Sequence, residues 1–306
     1  MELRHLHYLL VIERHRSLSG AAAEIGISQP ALTKAVKHLE ALLRAPVLER
    51  GPRGVRLNRF GEALARRARV VDIEVRSALR EVEAMRNARS GEVAIGIGPS
   101  FEQGAVPEAV AAILAERPTA RVRVVGALNG DLLPRLASGE LDMVFGTLPG
   151  LPEGDLRQRT LLHDPLIVVS GTRGKSRRLW TLPDLATRPW ALFGPTDFVR
   201  RHFEGLFRRA GLDVPAVAVE SQTAPFVKAL VMGSDHLSLF PRRAVAAELA
   251  AGQLRALNVP DGTASVELGV VVRAAGTLSP LAEEVLARIT ASVRRSQKQR
   301  GGAIEA

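Results

Sequence analysis

The chain has no cysteine among its 306 residues, which excludes disulfides, thiolate metal ligands and cysteine nucleophiles. It also lacks long apolar runs: no window approaches about 18 uncharged apolar residues, the length a membrane-spanning helix needs. The opening MELRHLHYLLVIERHRS breaks its short apolar run with His and Glu, so no secretory leader is expected and the chain is placed in the cytoplasm. The seven histidines show neither HExxH nor a repeated ligand spacing, and no metal or other cofactor is expected. No Gly-x-Ser-x-Gly elbow and no Walker sequence occurs, which leaves hydrolase and nucleotidase chemistry without a starting residue. The chain is not expected to be an enzyme. No internal repeat or low-complexity block is present.

What is there begins with charge. The formal net charge is +10, and it is unevenly spread: residues 1–90 hold 17 Lys and Arg against 10 Asp and Glu, whereas residues 91–306 hold 25 against 22. A basic excess confined to the first third suggests a polyanionic partner for that part, with nucleic acid ahead of an acidic membrane surface. The length favours two or three domains. A helical pattern runs almost unbroken to residue 90, and RSGEVAIGIGPS then changes the period, so a boundary is expected at Ser90-Gly91. Beyond it, β-rich runs (EVAIGIG, ARVRVVGA, LDMVFG, LIVVS, WALFG, VAVE, HLSLF, VELGVVV) alternate with helical stretches, which predicts an α/β architecture with largely parallel strands.

Residues 58–88 contain no proline, and only Gly61 interrupts good helix formers. One long helix of roughly 45 Å is expected at about 1.5 Å per residue. Leu64, Ala68, Val71, Val75, Ala78, Val82 and Met85 alternate four- and three-residue steps, the spacing of a coiled-coil seam, so this helix is expected to dimerise.

Residues 20–40, GAAAEIGISQPALTKAVKHLE, read as two short helices around a turn. The first carries an alanine-rich face (Ala21, Ala22, Ala23, Ile25) and stops at Gly26, where a tight turn needs positive φ. The second starts at Ser28, a good cap, with Pro30 in its first turn and Leu32, Ala35, Val36 and Leu39 on its core face. Small alanines allow the close, steep crossing of a helix-turn-helix. Gln29, Thr33, Lys34, Lys37 and His38 must then face outward. Gln29 and Thr33 suit base edges in a major groove, and Ser28, Lys34 and Lys37 suit phosphates, with a base edge also open to Lys34.

The segment from MELRHLHYLL through VLERGPRGVRLNRFGEAL resembles the N-terminal winged helix-turn-helix of LysR-type transcriptional regulators. The resemblance implies DNA binding by Ser28, Gln29, Pro30, Thr33, Lys34 and Lys37, with wing contacts from Arg50 and Arg53. Gly54 is kept in the wing, while Leu48, Gly51 and Asn58 depart from the family's usual residues. It implies the following organisation: a winged helix-turn-helix over 1–58, a linker helix over 59–90 and an effector-binding domain over 91–306. That domain would be a two-lobed, doubly wound α/β fold resembling periplasmic binding proteins, with one lobe from 91–163 and 267–295 and the other from 164–266. Implied partners are double-stranded promoter or operator DNA, a small organic effector with organic and aromatic acids among the candidates, a second copy or a tetramer of the chain, and RNA polymerase where the regulator activates.

In the effector region, GIGPSF at 96–101 fails as a dinucleotide fingerprint because Phe101 stands where glycine is required. Ser100, at a helix start, could hold a carboxylate, as that position does in the family. Asn129, Thr147 and Thr196 follow predicted strands, and Gln222 and Thr223 open another helix. Together these suggest a polar cleft for a small organic molecule. Phe101, Phe193 and Phe198 offer aromatic faces or core packing. Asn129 replaces the small hydroxyl residue often found there in the family. Two other classes compete: a solute-binding protein whose N-terminal segment only oligomerises, opposed by the basic first third and the missing export signal, and a small-molecule enzyme, opposed by the lack of a recognisable acid, base or nucleophile set.

Overall fold

The computed structural model describes residues 1–306 except 52–53, 87–90, 151–153, 173–178, 261–263 and 302–306. The chain divides into two compact units, one of residues 1–82 with 275–277 and one of residues 83–274 with 278–306.

In the first unit, α1 (Leu3–His15) buries Leu6, Leu9, Val11 and Ile12 and ends where Arg16 turns left-handed at φ 53°. Ser17 then caps α2 (Leu18–Ile25), its hydroxyl accepting from the Gly20 N–H at 3.3 Å. Gly26 adopts φ 77°, the conformation expected of it, and Ser28 caps α3 (Gln29–Leu43) by accepting from Ala31 N–H at 3.3 Å. Leu9, Ile12, Ala21, Ala22, Leu32, Val36 and Leu39 form one apolar core with Val47 and Ala65. Ala23, expected on that face, is exposed, because only Ala21 and Ala22 lie toward the α2 crossing.

The wing pairs β1 (Leu48–Gly51) with β2 (Gly54–Leu57) antiparallel. Gly54 has φ 101°, and a Cβ there would come within 2.3 Å of the Arg16 carbonyl oxygen, which accepts the neighbouring Val55 N–H at 2.9 Å. Glycine is therefore required where the wing docks on the end of α1. Helix α4 (Arg59–Arg86) follows. Asn58 starts it: its Oδ1 accepts from Phe60 and Gly61 N–H at 3.0 Å, and its Nδ2 donates to the Pro46 carbonyl at 2.9 Å. A departure from the family's usual residue thus still caps the helix. Gly61, the one weak helix former, stands where a Cβ would lie 2.2 Å from the Val47 carbonyl oxygen, so close packing accounts for it.

The second unit opens with β3 (Glu92–Ile97), a short 3-10 turn at Pro99–Phe101, α5 (Ala105–Glu116), β4 (Arg121–Gly126), α6 (Asn129–Ala137) and β5 (Met143–Thr147). The 16-residue β6 (Leu156–Gly171) leads to α7 (Leu182–Ala186), β7 (Trp190–Leu192), α8 (Phe198–Arg209), β8 (Val217–Glu220), α9 (Ala224–Gly233) and β9 (Ser238–Pro241). After a second 3-10 turn come α10 (Ala246–Ala250), β10 (Leu254–Ala256), β11 (Ser265–Arg273) and α11 (Pro280–Gly301).

The main sheet runs β10-β6-β11-β5-β3-β4, with β9 also on β6. Its β4-β3-β5 part is parallel, but β11 is antiparallel to both β5 and β6, and β9 and β10 are antiparallel to β6. The expectation of largely parallel strands is corrected to a mixed sheet. The cause is visible in β6, whose first part (156–165) pairs with β11 and whose last part (166–171) pairs with β9 and β10. One long strand and its antiparallel return carry the chain between two α/β halves, which strand propensity alone does not reveal.

Candidate nucleic-acid interface and effector cleft

Helix α3 sorts its residues as a two-faced rod. Leu32, Val36 and Leu39 are buried. Ser28, Gln29, Pro30, Lys34, Lys37 and His38 are exposed, and Thr33 is half-buried. The N-terminal end therefore presents short polar tips while cations stand farther along, the order that groove entry requires. Ser19 Oγ lies 3.4 Å from Gln29 Oε1, a long contact that leaves the amide free to turn outward. Among the described residues neither Lys34 nor Lys37 is in an ion pair. Glu24, on α2, is instead held by Arg14 and by His15 at 2.5 Å. Its carboxyl is kept below the ordinary range, first by the His15 hydrogen bond, and it stays bound to those partners. Behind α3, His5 is buried and accepts the Glu2 N–H on Nδ1 at 3.0 Å. Burial lowers its pKa and Glu2 opposes the shift, while the His38 ring, 5.5 Å away, lowers it further. The Arg50 side chain and Arg53 lie outside the described residues.

The seam of α4 divides. Ala68 is fully buried, Leu64 and Val71 are half-buried, and Leu64 packs against the core of the first unit. Farther along, Val75 is 41 % exposed, Leu79 64 %, Val82 55 % and Met85 70 %. The heptad pattern thus mixes two jobs, since its first residues meet the helix's own domain and the later ones stand as an uncovered apolar stripe. Leu79, missed by the strict heptad count, belongs to that stripe, and buried Ile73 lies off the seam.

In the second unit a cleft is lined by Gly98, Pro99, Ser100, Leu128, Thr147, Phe193, Asp197, Val199, Phe240 and Pro241. Parallel pairing of β3 with β5 aligns Ile97 with Phe145, which brings Ser100 and Thr147 to one rim at the C-terminal ends of these strands, where α/β sheets bind ligands. Pairing of β9 with β6 places Phe240 and Pro241 opposite them. Of the sequence-derived candidates, Ser100, Thr147 and Phe193 line this cleft. Phe101 does not: it is buried against Phe145, ring centroids 5.7 Å apart. Asn129 sits behind the rim and donates to the Thr147 carbonyl at 2.5 Å, fixing the backbone there instead of facing a ligand. Thr196, Gln222 and Thr223 are exposed and outside the lining, because the chain turns away after β7 and β8. Phe198 is half-buried and also outside it.

Asp197 was not anticipated. It caps α8, its Oδ1 accepting from Val199 N–H at 2.8 Å, and burial pushes its carboxyl above the usual aspartate range against the pull of the Val199, Arg200 and Phe198 N–H groups and Arg201. The stretch Thr-Asp-Phe-Val before an amphipathic run is an N-cap signal, but nothing local says that this cap opens into a cleft. The lining leaves about 30 Å³ for the centres of water molecules, room for about two waters. Among the described residues no group of three His, Asp or Glu is placed to hold a metal ion, and no helix is long and apolar enough to cross a membrane.

Comparison with known proteins matches both units. Residues 3–62 match the model of the bacterial regulatory helix-turn-helix protein, lysR family, and residues 86–294 match that of the LysR substrate binding domain. The HTH-type transcriptional regulator PcaQ of Agrobacterium fabrum is 30 % identical over 278 residues, covering 90 % of this chain and 89 % of that protein. Among solved structures, full-length CbnR complexed with its target DNA is 22 % identical with a TM-score of 0.56, covering 97 % of this chain and 100 % of that one. ArgP from Mycobacterium tuberculosis is 17 % identical with a TM-score of 0.64, covering 94 % and 96 %.

Proposed function

The chain belongs to the LysR family of bacterial helix-turn-helix transcription regulators, and from that premise we propose that α3 reads operator DNA while the cleft beside Ser100 and Thr147 receives the controlling small molecule. As a family member it is a DNA-binding regulator with an effector-binding domain. The assignment of roles to residues is carried by one observation: on α3 every polar candidate except half-buried Thr33 is exposed, while Leu32, Val36 and Leu39 are buried and Ala35 is half-buried. Gln29 and Thr33 read base edges, Ser28 and Pro30 set the helix start against the backbone, and Lys34 and Lys37 neutralise phosphates. Arg50 and Arg53 of the wing reach the neighbouring backbone or minor groove.

The apolar stripe Val75, Leu79, Val82 and Met85 pairs with the same stripe of a second copy, with Leu64 and Val71 at its inner end. Dimer symmetry then presents two copies of α3 to two half-sites, and a tetramer extends the arrangement. The domain boundaries are proposed at 58, 90 and, within the effector domain, near 163 and 267. DNA as the partner supports a cytoplasmic location, action as a regulator and not an enzyme, and contact with RNA polymerase where the outcome is activation.

The cleft has room for about two waters, whereas a small organic ligand needs on the order of 300 Å³ or more. An effector therefore binds a form whose halves have parted around β6 and β11, and only its preference for that form can shift the regulator between states. Selection of binding sequences from a random duplex library tests the DNA assignment. Gln29→Ala is expected to broaden the selected sequence at one position in each half-site, and an unchanged selection contradicts the role given to α3.

A further inference from the structure

Among the described residues that line the effector cleft one side chain is ionisable, and it is an acid. Among the described residues that line it, Ser100 and Thr147 supply hydroxyls, Asp197 supplies a carboxyl, and the remainder are apolar or glycine. Among the described residues no lysine or arginine lines it. Arg200, next along α8, pairs with Glu204 at 3.0 Å and donates to the Phe193 carbonyl at 3.4 Å, and Arg201 donates to the Thr196 carbonyl at 2.7 Å while its charge also acts on Asp197. Neither the Ser100 nor the Thr147 hydroxyl has a hydrogen-bond partner within the described chain, and each can donate or accept. They tolerate many ligands. The Asp197 carboxylate can only accept; its Oδ1 takes the Val199 N–H at 2.8 Å, and the Phe198 and Arg200 N–H groups at the start of α8 also act on the carboxylate.

We propose that the molecule this cleft selects is uncharged or cationic and presents an N–H or O–H donor to Asp197, with its apolar body against Phe193, Val199 and Phe240. This rests on reading the cleft as the effector site, and it replaces the expectation of an organic or aromatic acid. A ligand carboxylate beside Asp197 would place like charges together in a nearly dry cleft, and one of them would have to take up a proton before both could stay. A donor removes that conflict, and an ammonium adds charge assistance to the hydrogen bond. Phe193 and Phe240 meet edge to face, with centroids 5.4 Å apart, so the apolar wall is rigid and the donor end sets orientation.

The test uses the full chain and two matched sets of probes, benzylamine, benzyl alcohol and benzoate, then isobutylamine, isobutanol and isobutyrate, titrated by ligand-observed NMR. The amine and alcohol members are expected to bind and the carboxylates not. Asp197→Asn, which keeps the helix cap, is expected to weaken amine binding about tenfold or more and to admit the carboxylates. Thr147→Phe and Ser100→Leu, which fill the cleft, should abolish binding of every member. Carboxylates binding the unaltered chain as well as the amines, amine binding indifferent to Asp197→Asn, or no binding by any amine or alcohol overturns the proposal. Binding that Thr147→Phe and Ser100→Leu remove but Asp197→Asn leaves intact sinks this inference alone, whereas binding that none of the three variants alters sinks the cleft assignment itself.

Discussion

Lys34 and Lys37 stand in solvent on α3, whereas Asp197 lies in a cleft with room for about two waters. The two regions meet opposite electrostatic demands. A phosphate backbone is long and uniformly charged, so a reader needs cations free of internal partners, and Glu24, on the neighbouring helix α2, is held by Arg14 and His15. A small effector is met one group at a time, so one carboxyl among apolar walls can decide what enters. Solvent screens the first arrangement and leaves the second largely unscreened. DNA affinity should therefore follow ionic strength steeply, and effector choice should follow it little.

The contrast can be broken most forcefully at the scaffold. Leu32 is fully buried behind the polar edge of α3, and Leu32→Ala is expected to cost about 2–5 kcal/mol. Hydrogen exchange should show protection falling across residues 3–43 with little change over β3 to β6, and a loss spread evenly over both units would contradict two separate cores. Next comes the stripe on α4: Leu79→Glu with Val82→Glu should turn dimers into monomers by sedimentation, while far-ultraviolet circular dichroism stays unchanged. Gln29→Ala should cost about 1–3 kcal/mol on the preferred duplex and much less on a scrambled one, measured by fluorescence anisotropy.

The smallest effect concerns His5. Its folded pKa lies below the ordinary value, so below about pH 6.5 the unfolded chain takes up a proton that the folded chain refuses. Stability of the first unit should fall as pH drops from 7 to 5.5, and His5→Gln should flatten that slope in thermal melts. A slope unchanged by the substitution would assign the acid sensitivity to other groups.

The same contrast governs how far sequence reasoning reached. The α2–turn–α3 region was legible because its determinants are local: Ser28 and Gly26 act on their own backbone, and the 3.6-residue period sorts Leu32, Val36 and Leu39 from Gln29 and Lys37. The cleft was legible only in part. Ser100 and Thr147 follow strands, but whether Phe101 faces the cleft or Phe145, and whether Thr196 or Asp197 points inward, depends on pairings between segments about a hundred residues apart. The seam of α4 was legible in a third way, since a heptad count finds the stripe but cannot tell the half that packs on its own domain from the half left exposed. Antiparallel β6 and β11 escaped notice because a buried strand reads alike in either direction.

The central claim is that α3 meets the DNA backbone through Lys34 and Lys37, and the salt dependence of duplex binding tests it most directly. With both lysines replaced by alanine, the slope of log K against log salt should become shallower by about 1.8, roughly 0.9 for each lost phosphate contact. A slope identical to that of the unaltered protein would place those lysines away from the DNA and contradict the account.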